Sequence, residues 1–224
     1  MKTKEYINKT RENYKDEVIA GNYKKAYSGK LSLQNFRIKS ISYREQKIVK
    51  KFLSCISKEE TLKNKKVLDI PAGTGKLTKI LLYNGLKVTS GDISKEMMDQ
   101  IDKDLKEHKN YIDERVMDAT DLPFKDNSFD LVISIRLLHR VDAETRKNII
   151  KEVKRVSSGY CIISFAKDSL WHRLRIKIRG SNSSPGMIKL KVIKKELEEE
   201  GFSIVKRKNV LPGLSNEIIF LLKN

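Results

Sequence analysis

Cysteine, histidine and long apolar runs are all scarce in this chain, and each shortage excludes something. Of 224 residues only two are cysteine and three histidine. Cys55 and Cys161 lie far apart, each near apolar residues, so they read as reduced core thiols and not as a disulfide. No His/Cys cluster has zinc-ligand spacing, and no metal is expected. No apolar run approaches the length of a membrane span, and no apolar segment follows Met1 as in a secretory signal. A cytoplasmic protein is expected. A hydrophobic fraction of 39% beside 34% charged residues still describes a folded chain, long enough to bury a full core.

Acidic residues are in short supply as well. Twenty-nine Asp and Glu against 47 Lys and Arg leave a formal net charge of +18. Such an excess favours anionic partners: nucleic acid, acidic lipid surfaces or phosphorylated metabolites. Most of it is lysine scattered through an Asn-, Ile- and Lys-rich composition, so charge alone identifies no partner.

What is present is organised around Lys66–Gly75. Val67, Leu68 and Ile70 form a short apolar run that predicts a buried parallel strand. Pro71-Ala72-Gly73-Thr74-Gly75 ends it, and the amphipathic Lys76–Leu82 follows at once. Strand, glycine-rich turn and helix bring backbone N–H groups and a helix N-terminus close to a ligand. A dinucleotide fingerprint fails, because Thr78 stands where the third glycine belongs. A phosphate-cradling Walker loop fails too, since Gly75-Lys76-Leu77 lacks both the upstream spacing and the hydroxyl.

An acidic strand end, Asp69, followed by small residues and two glycines resembles motif I of the class I S-adenosylmethionine (SAM) methyltransferases, with Pro71 at the first glycine position. The methyltransferase type 11, or UbiE-like, family is the nearest likeness. A carboxylate near the turn suits a ligand with an ammonium and a sulfonium and no phosphate. Lys87–Asp92 predicts a second strand, and Asp92 ends it twenty-three positions past Asp69 (92 − 69), well placed for both ribose hydroxyls. There Asp92 is expected to serve binding and to support little packing, with Ser94 capping the helix that follows. Asp92-Ile93-Ser94 with Met97-Met98 also resembles a family segment. A helix from Lys95 to about Glu107 and a third strand, Ile112–Met117, should follow. By resemblance, Asp118 takes the adenine amino group and the Ala119 backbone serves the ring. Asp121–Phe124 and Asn127–Asp130 are similar to further family turns.

Phe129–Ile135 predicts the fourth strand, and Arg136–Val141 resembles the family's loop after it. The resemblance makes Asp69, Pro71, Ala72, Gly73, Gly75, Asp92, Ile93, Asp118, Ala119, Ile135 and Arg136 the candidate cofactor contacts. His139 is the candidate base or acceptor contact, with local packing as its bland alternative. Arg136, Trp171 and Tyr27 complete the acceptor-side candidates. Glu144–Val156 predicts a helix, Ser157–Gly159 a turn, Tyr160–Phe165 the fifth strand and Met187–Glu200 the last helix. A hairpin of Phe202–Lys208 and Asn216–Leu222 closes the fold.

Two segments flank this pattern. Residues 1–41 read as an N-terminal helical cap to a methyltransferase domain over 42–224, with Ser42 and Glu45 forming a capping box. Residues 170–186, where basic and apolar residues alternate from Arg173 to Arg179 before a Ser/Asn/Pro/Gly stretch, read as a mobile substrate lid. The implied fold is α/β: a Rossmann-like, seven-stranded mixed sheet with helices on both faces. The implied function is SAM-dependent methyl transfer, releasing S-adenosyl-L-homocysteine (SAH). Ser134–Leu137 lacks the motif of enzymes that methylate amino groups of nucleic acids, and no cysteine of the 5-methylpyrimidine type is evident. The acceptor is therefore expected to be a small or lipid-linked, anionic molecule, with the protein cytoplasmic or peripheral at the inner membrane face. RNA methylation through the basic surface and non-catalytic SAM binding are the rival readings.

Overall fold

The computed structural model describes residues 33–99, 101, 105, 111–169, 187–212 and 215–224. The expected lid, with Trp171, and most of the expected cap, with Tyr27, lie outside the described residues. The first described element is helix α1, Leu33–Ile56. From Lys30 to Ile70 the sequence holds no Gly or Pro, so nothing breaks the helix before its apolar face begins. Ser42 therefore lies well inside α1 and caps nothing. Its Oγ accepts from Gln46 Nε2 at 3.3 Å. The boundary expected at 41/42 falls within this same helix.

Seven strands follow: β1 Lys66–Asp69, β2 Lys87–Asp92, β3 Ile112–Val116, β4 Phe129–Ser134, β5 Ser157–Ala166, β6 Ser203–Asn209 and β7 Glu217–Lys223. They form one sheet in the order β3-β2-β1-β4-β5-β7-β6. Only β7 runs against the others, pairing antiparallel with both β5 and β6. Between the strands lie α2 (Lys76–Tyr83), the single turn α3 (Lys95–Met98), α4 (Ala143–Val156) and α5 (Leu190–Glu199). Asn84 and Gly85, the latter at φ 77°, end α2 as expected.

Successive side chains of a strand point to opposite faces, and the two faces bury separate cores. Val67, Leu131 and Ile133 pack with α1 and α2, through Val49, Phe52, Ile80 and Leu81. Leu68, Ile70 and Val132 pack with α4 and α5, through Ile149, Ile150, Ile193 and Leu197. Arg146 joins α4 to α5 by a two-pronged pair with Glu196 at 2.9 and 2.7 Å.

Several boundaries differ from expectation. The expected turn at Ser157–Gly159 is the start of β5 itself. A Cβ on Gly159 would lie 2.7 Å from the Asp130 carbonyl oxygen, so this glycine permits close strand approach, beside a register irregularity in β4. Met187–Lys189 do not belong to α5, because Ile188 exchanges backbone bonds with Ala166 and Asp168. β4 ends at Ser134, one residue short of Ile135. The helix after β2 spans only Lys95–Met98 among the described residues, although Ile101 and Leu105 are buried against Ala72 and Met98.

β1 sits between β2 and β4, so the chain winds in opposite directions from these two central strands. In open α/β sheets that reversal leaves a crevice at the carboxyl ends of the strands.

Candidate active site

Four buried side-chain atoms have no hydrogen-bond partner among the described residues: Asp69 Oδ1, Ser134 Oγ, His139 Nδ1 and Glu217 Oε1. All four lie at one edge of the sheet. Asp69 and Ser134 end β1 and β4, His139 is in the loop after β4, and Glu217 begins the reversed strand β7. Buried polar groups are normally satisfied, so unpaired atoms gathered around a switch point mark a place built for something else.

The turn after β1 is tied to its neighbours through the backbone. Ile70 N–H donates to Ile133 O at 2.9 Å, and Ala72 N–H to Gly91 O at 2.7 Å. Gly73 and Gly75 sit at φ 55° and 74°, a region costly for any residue with a Cβ. Gly75 is the N-cap of α2 and supplies no side-chain cap, so the first turn of that helix keeps donors for a ligand. Asp69 lies beneath the turn, fully buried. Its Oδ2 accepts from Thr78 Oγ1 at 2.8 Å, and Thr78 also meets Ser90 Oγ at 3.0 Å. Burial pushes the Asp69 carboxyl up to about 7.

Asp92 stands beside the turn. Its Oδ2 accepts from Gly73 N–H and its Oδ1 from Ser94 N–H, both at 3.0 Å. Burial raises its pKa, and these backbone donors oppose the rise. The carboxylate thus locks the glycine turn to the end of β2, which is more structural work than the sequence suggests. Ser94 caps α3 as expected, accepting from Met97 N–H at 3.1 Å.

Next to Asp92 opens a mostly apolar cleft. Ile70, Pro71, Ile93, Met117, Leu137, Val141 and Ile149 supply its apolar lining, with the half-buried Asp118 and Thr120 at its rim. Asp118 Oδ1 accepts from both the N–H and the hydroxyl of Thr120 at 2.9 Å. The rim is anchored from behind by Arg155, which donates to Leu122 O, Phe124 O, Asp126 and Glu152. An apolar cleft with a carboxylate at its rim, next to a second carboxylate fixed beside a bare-backbone turn, offers the chemistry that a nucleoside with an amino-acid tail requires.

The β4 side is built differently. Arg136 adopts φ 64° and its N–H donates to Ser164 Oγ at 2.8 Å. Its Nε donates to Glu45 Oε1 of α1 at 2.5 Å and lies 3.9 Å from Glu217 Oε2. Glu45 also hydrogen-bonds Glu217; burial and this second carboxyl raise its pKa to about 9, so it holds a proton at neutral pH. Lys76, at the start of α2, is lowered to about 7 by burial and by Arg136. His139 is lowered to about 4 by burial and by Arg140, with Glu217 opposing, and is neutral at pH 7.

The sequence-derived candidates therefore fall into three places. Pro71, Ile93, Asp118 and Ala119 line the cleft. Ala72, Gly73 and Gly75 form the turn, with Asp69 under it and Asp92 beside it. Ile135, Arg136 and His139 stand at the β4 end, where Arg136 is engaged by Glu45 and Glu217 of its own chain. Sequence reasoning missed Glu45 as a site residue because it read as a capping partner. Nothing local marks Glu217, and Thr78 was noticed only as a missing glycine. Among the described residues no group of His, Cys, Asp and Glu could hold a metal ion.

Comparison with known proteins agrees with this geometry. The profile of a family described as a methyltransferase domain matches residues 68–163. Over 100 residues, 43% of this chain, the sequence is 36% identical to the ubiquinone/menaquinone biosynthesis C-methyltransferase UbiE of Desulfotalea psychrophila. The match spans 39% of that relative's length. The magnesium protoporphyrin IX methyltransferase of Synechocystis, solved with bound SAH, superposes with a TM-score of 0.82 over 97% of this chain and 99% of that chain, at 22% identity. The [4+2]-cyclase SpnF superposes with a TM-score of 0.57 over 76% of this chain and 78% of that chain, at 15% identity. The fold is that of the class I methyltransferases, and the cyclase shows that such a fold is not tied to one reaction.

Proposed function

We propose, from the match of residues 68–163 to a methyltransferase-domain family, that the chain transfers a methyl group from SAM to a small or lipid-linked, anionic acceptor. The observation that carries the reading is the clustering of buried, unpaired polar atoms around the crevice between β1 and β4. Asp92 would hold the ribose hydroxyls, the Gly73–Gly75 backbone the amino-acid tail, and Ile93, Leu137 and Asp118 the base. SAM supplies an electrophilic methyl group on a sulfonium. The rest of the task is alignment and exclusion of water, which the apolar walls and the anchored rim provide. An attacking hydroxyl, amine or acidic carbon must lose its proton, and His139 is the group assigned to take it, since its Nδ1 is unpaired and its ring neutral.

The two named relatives that methylate are described by small molecules, one by ubiquinone/menaquinone biosynthesis and one by magnesium protoporphyrin IX, which supports a small acceptor over RNA. Incubation of the protein with cell extract and labelled SAM should put label in the lipid or small-molecule fraction. Label in RNA would replace this acceptor reading with the nucleic-acid one. Tight SAH binding with no labelled product in any fraction would instead favour a non-catalytic binding role.

A further inference from the structure

The charge excess is not evenly spread over the helices. α4 mixes Arg146, Lys147, Lys151, Lys154 and Arg155 with Glu144 and Glu152, and α5 mixes three lysines with Glu196, Glu198 and Glu199. α1 has one acid, Glu45, and it is buried against Arg136. Its buried face carries Val49, Phe52, Leu53 and Ile56. On the opposite face Arg44, Lys47, Lys50 and Lys51 are all exposed. At 100° per residue these four side chains cluster within a third of the helix circumference, and Phe36 and Tyr43 fall in the same sector. Phe36 is 61% and Tyr43 64% exposed, which no packing role among the described residues accounts for.

We propose that this face of α1 docks the protein on an anionic lipid surface, with Arg44, Lys47, Lys50 and Lys51 against the headgroups and Phe36 and Tyr43 at the interface. Cations combined with exposed aromatics on one helix face are the chemistry that anionic membranes attract. Single-stranded RNA fits less well. It is tracked by grooves and stacked on closely spaced rings, whereas this face is a convex helix with its two aromatics about 10 Å apart along the axis. Orientation strengthens the assignment. Glu45 meets Arg136 at the carboxyl end of β4, so Phe36 lies about 14 Å further along α1, beyond the crevice edge of the sheet. Docking on this face holds the crevice beside the lipid. The proposal stands on charge and geometry and holds whether or not the chain transfers methyl groups.

Co-sedimentation of the full chain with vesicles tests it. At low salt the protein should pellet with phosphatidylcholine vesicles containing about one-third phosphatidylserine, and not with pure phosphatidylcholine. Combined Arg44→Ser, Lys47→Ser, Lys50→Ser and Lys51→Ser should weaken that binding by about tenfold or more, with an unchanged thermal unfolding curve. Phe36→Ser with Tyr43→Ser should keep the low-salt binding and lose what remains at high salt. Equal pelleting with both vesicle types overturns the proposal, as does full binding by the quadruple variant. Tighter binding to oligouridylate than to the anionic vesicles, lost in the quadruple variant, would assign the face to nucleic acid and overturn it as well.

Discussion

The two sides of the crevice satisfy their polar groups over very different distances along the chain. On the β2 side the partners are near neighbours in sequence: Thr78 and Asp69 are nine residues apart, Gly73 and Asp92 nineteen, Ser94 and Asp92 two. On the β4 side Arg136 meets Glu45 across ninety-one residues, and Glu217 comes from the last strand. The first side is built of backbone donors fixed by a turn. The second is a cluster of Arg136, Glu45 and Glu217 assembled only when α1, β4 and β7 come together. The first is rigid and suited to a constant ligand. The second draws Glu45 and Glu217 from α1 and β7, both outside the matched segment 68–163.

Asp92→Ala is the largest perturbation of the β2 side. It removes the proposed ribose acceptor and the partner of two backbone N–H groups at once. SAH affinity should fall by about 1.5–3 kcal/mol, the scale of a lost charged hydrogen bond. Thermal stability should fall too, because Gly73 and Ser94 lose their shared acceptor. The sequence alone suggests an effect on binding with little on stability, so calorimetry and a melting curve on one variant separate the two views.

The β4 side is sharpened by pH. Glu45 has a folded pKa of about 9 against 4.5 in the unfolded chain, so the native state holds an extra proton between those values. Taken alone, this proton makes stability fall as pH rises through that window. Asp69, raised to about 7 from 3.8, acts in the same direction but only below about 7. Between pH 7 and 9 Lys76, lowered to about 7 from 10.5, acts in the opposite direction, so in denaturant unfolding the difference between wild type and a Glu45 variant, and not the wild-type slope, isolates Glu45. Glu45→Gln, which keeps a carbonyl oxygen for Arg136, should make stability rise more with pH there than in the wild type. An unchanged slope would show that Glu45 does not titrate in this window.

The smallest effect returns to the turn. Gly75→Ala places a Cβ in left-handed backbone, 3.0 Å from Ile101 Cγ2. A stability loss of about 1 kcal/mol or slightly more is expected in urea unfolding.

This asymmetry also decides what could be read from the sequence. β1, its turn, β2 and Asp92 are visible because apolar runs, glycines and a carboxylate at the right interval are all local signals. The sheet and the closing hairpin followed from the same patterning. Ser42 and Glu45 misled because a capping box is also local, while the true partner of Glu45 is folded in from β4. Gly159 misled in the same way: a glycine after a helix signals a turn, and only the neighbouring Asp130 carbonyl shows that it is a point of strand contact. Glu217 had no signal at all.

The central claim is that the glycine turn and Asp92 bind a nucleoside with an amino-acid tail. Isothermal titration of the wild-type chain with SAH, NAD and ATP tests it most directly. The account predicts saturable heat with SAH at one site per chain, weakened in Asp92→Ala, and none with NAD or ATP. A flat SAH titration, or tighter binding of NAD, would contradict it.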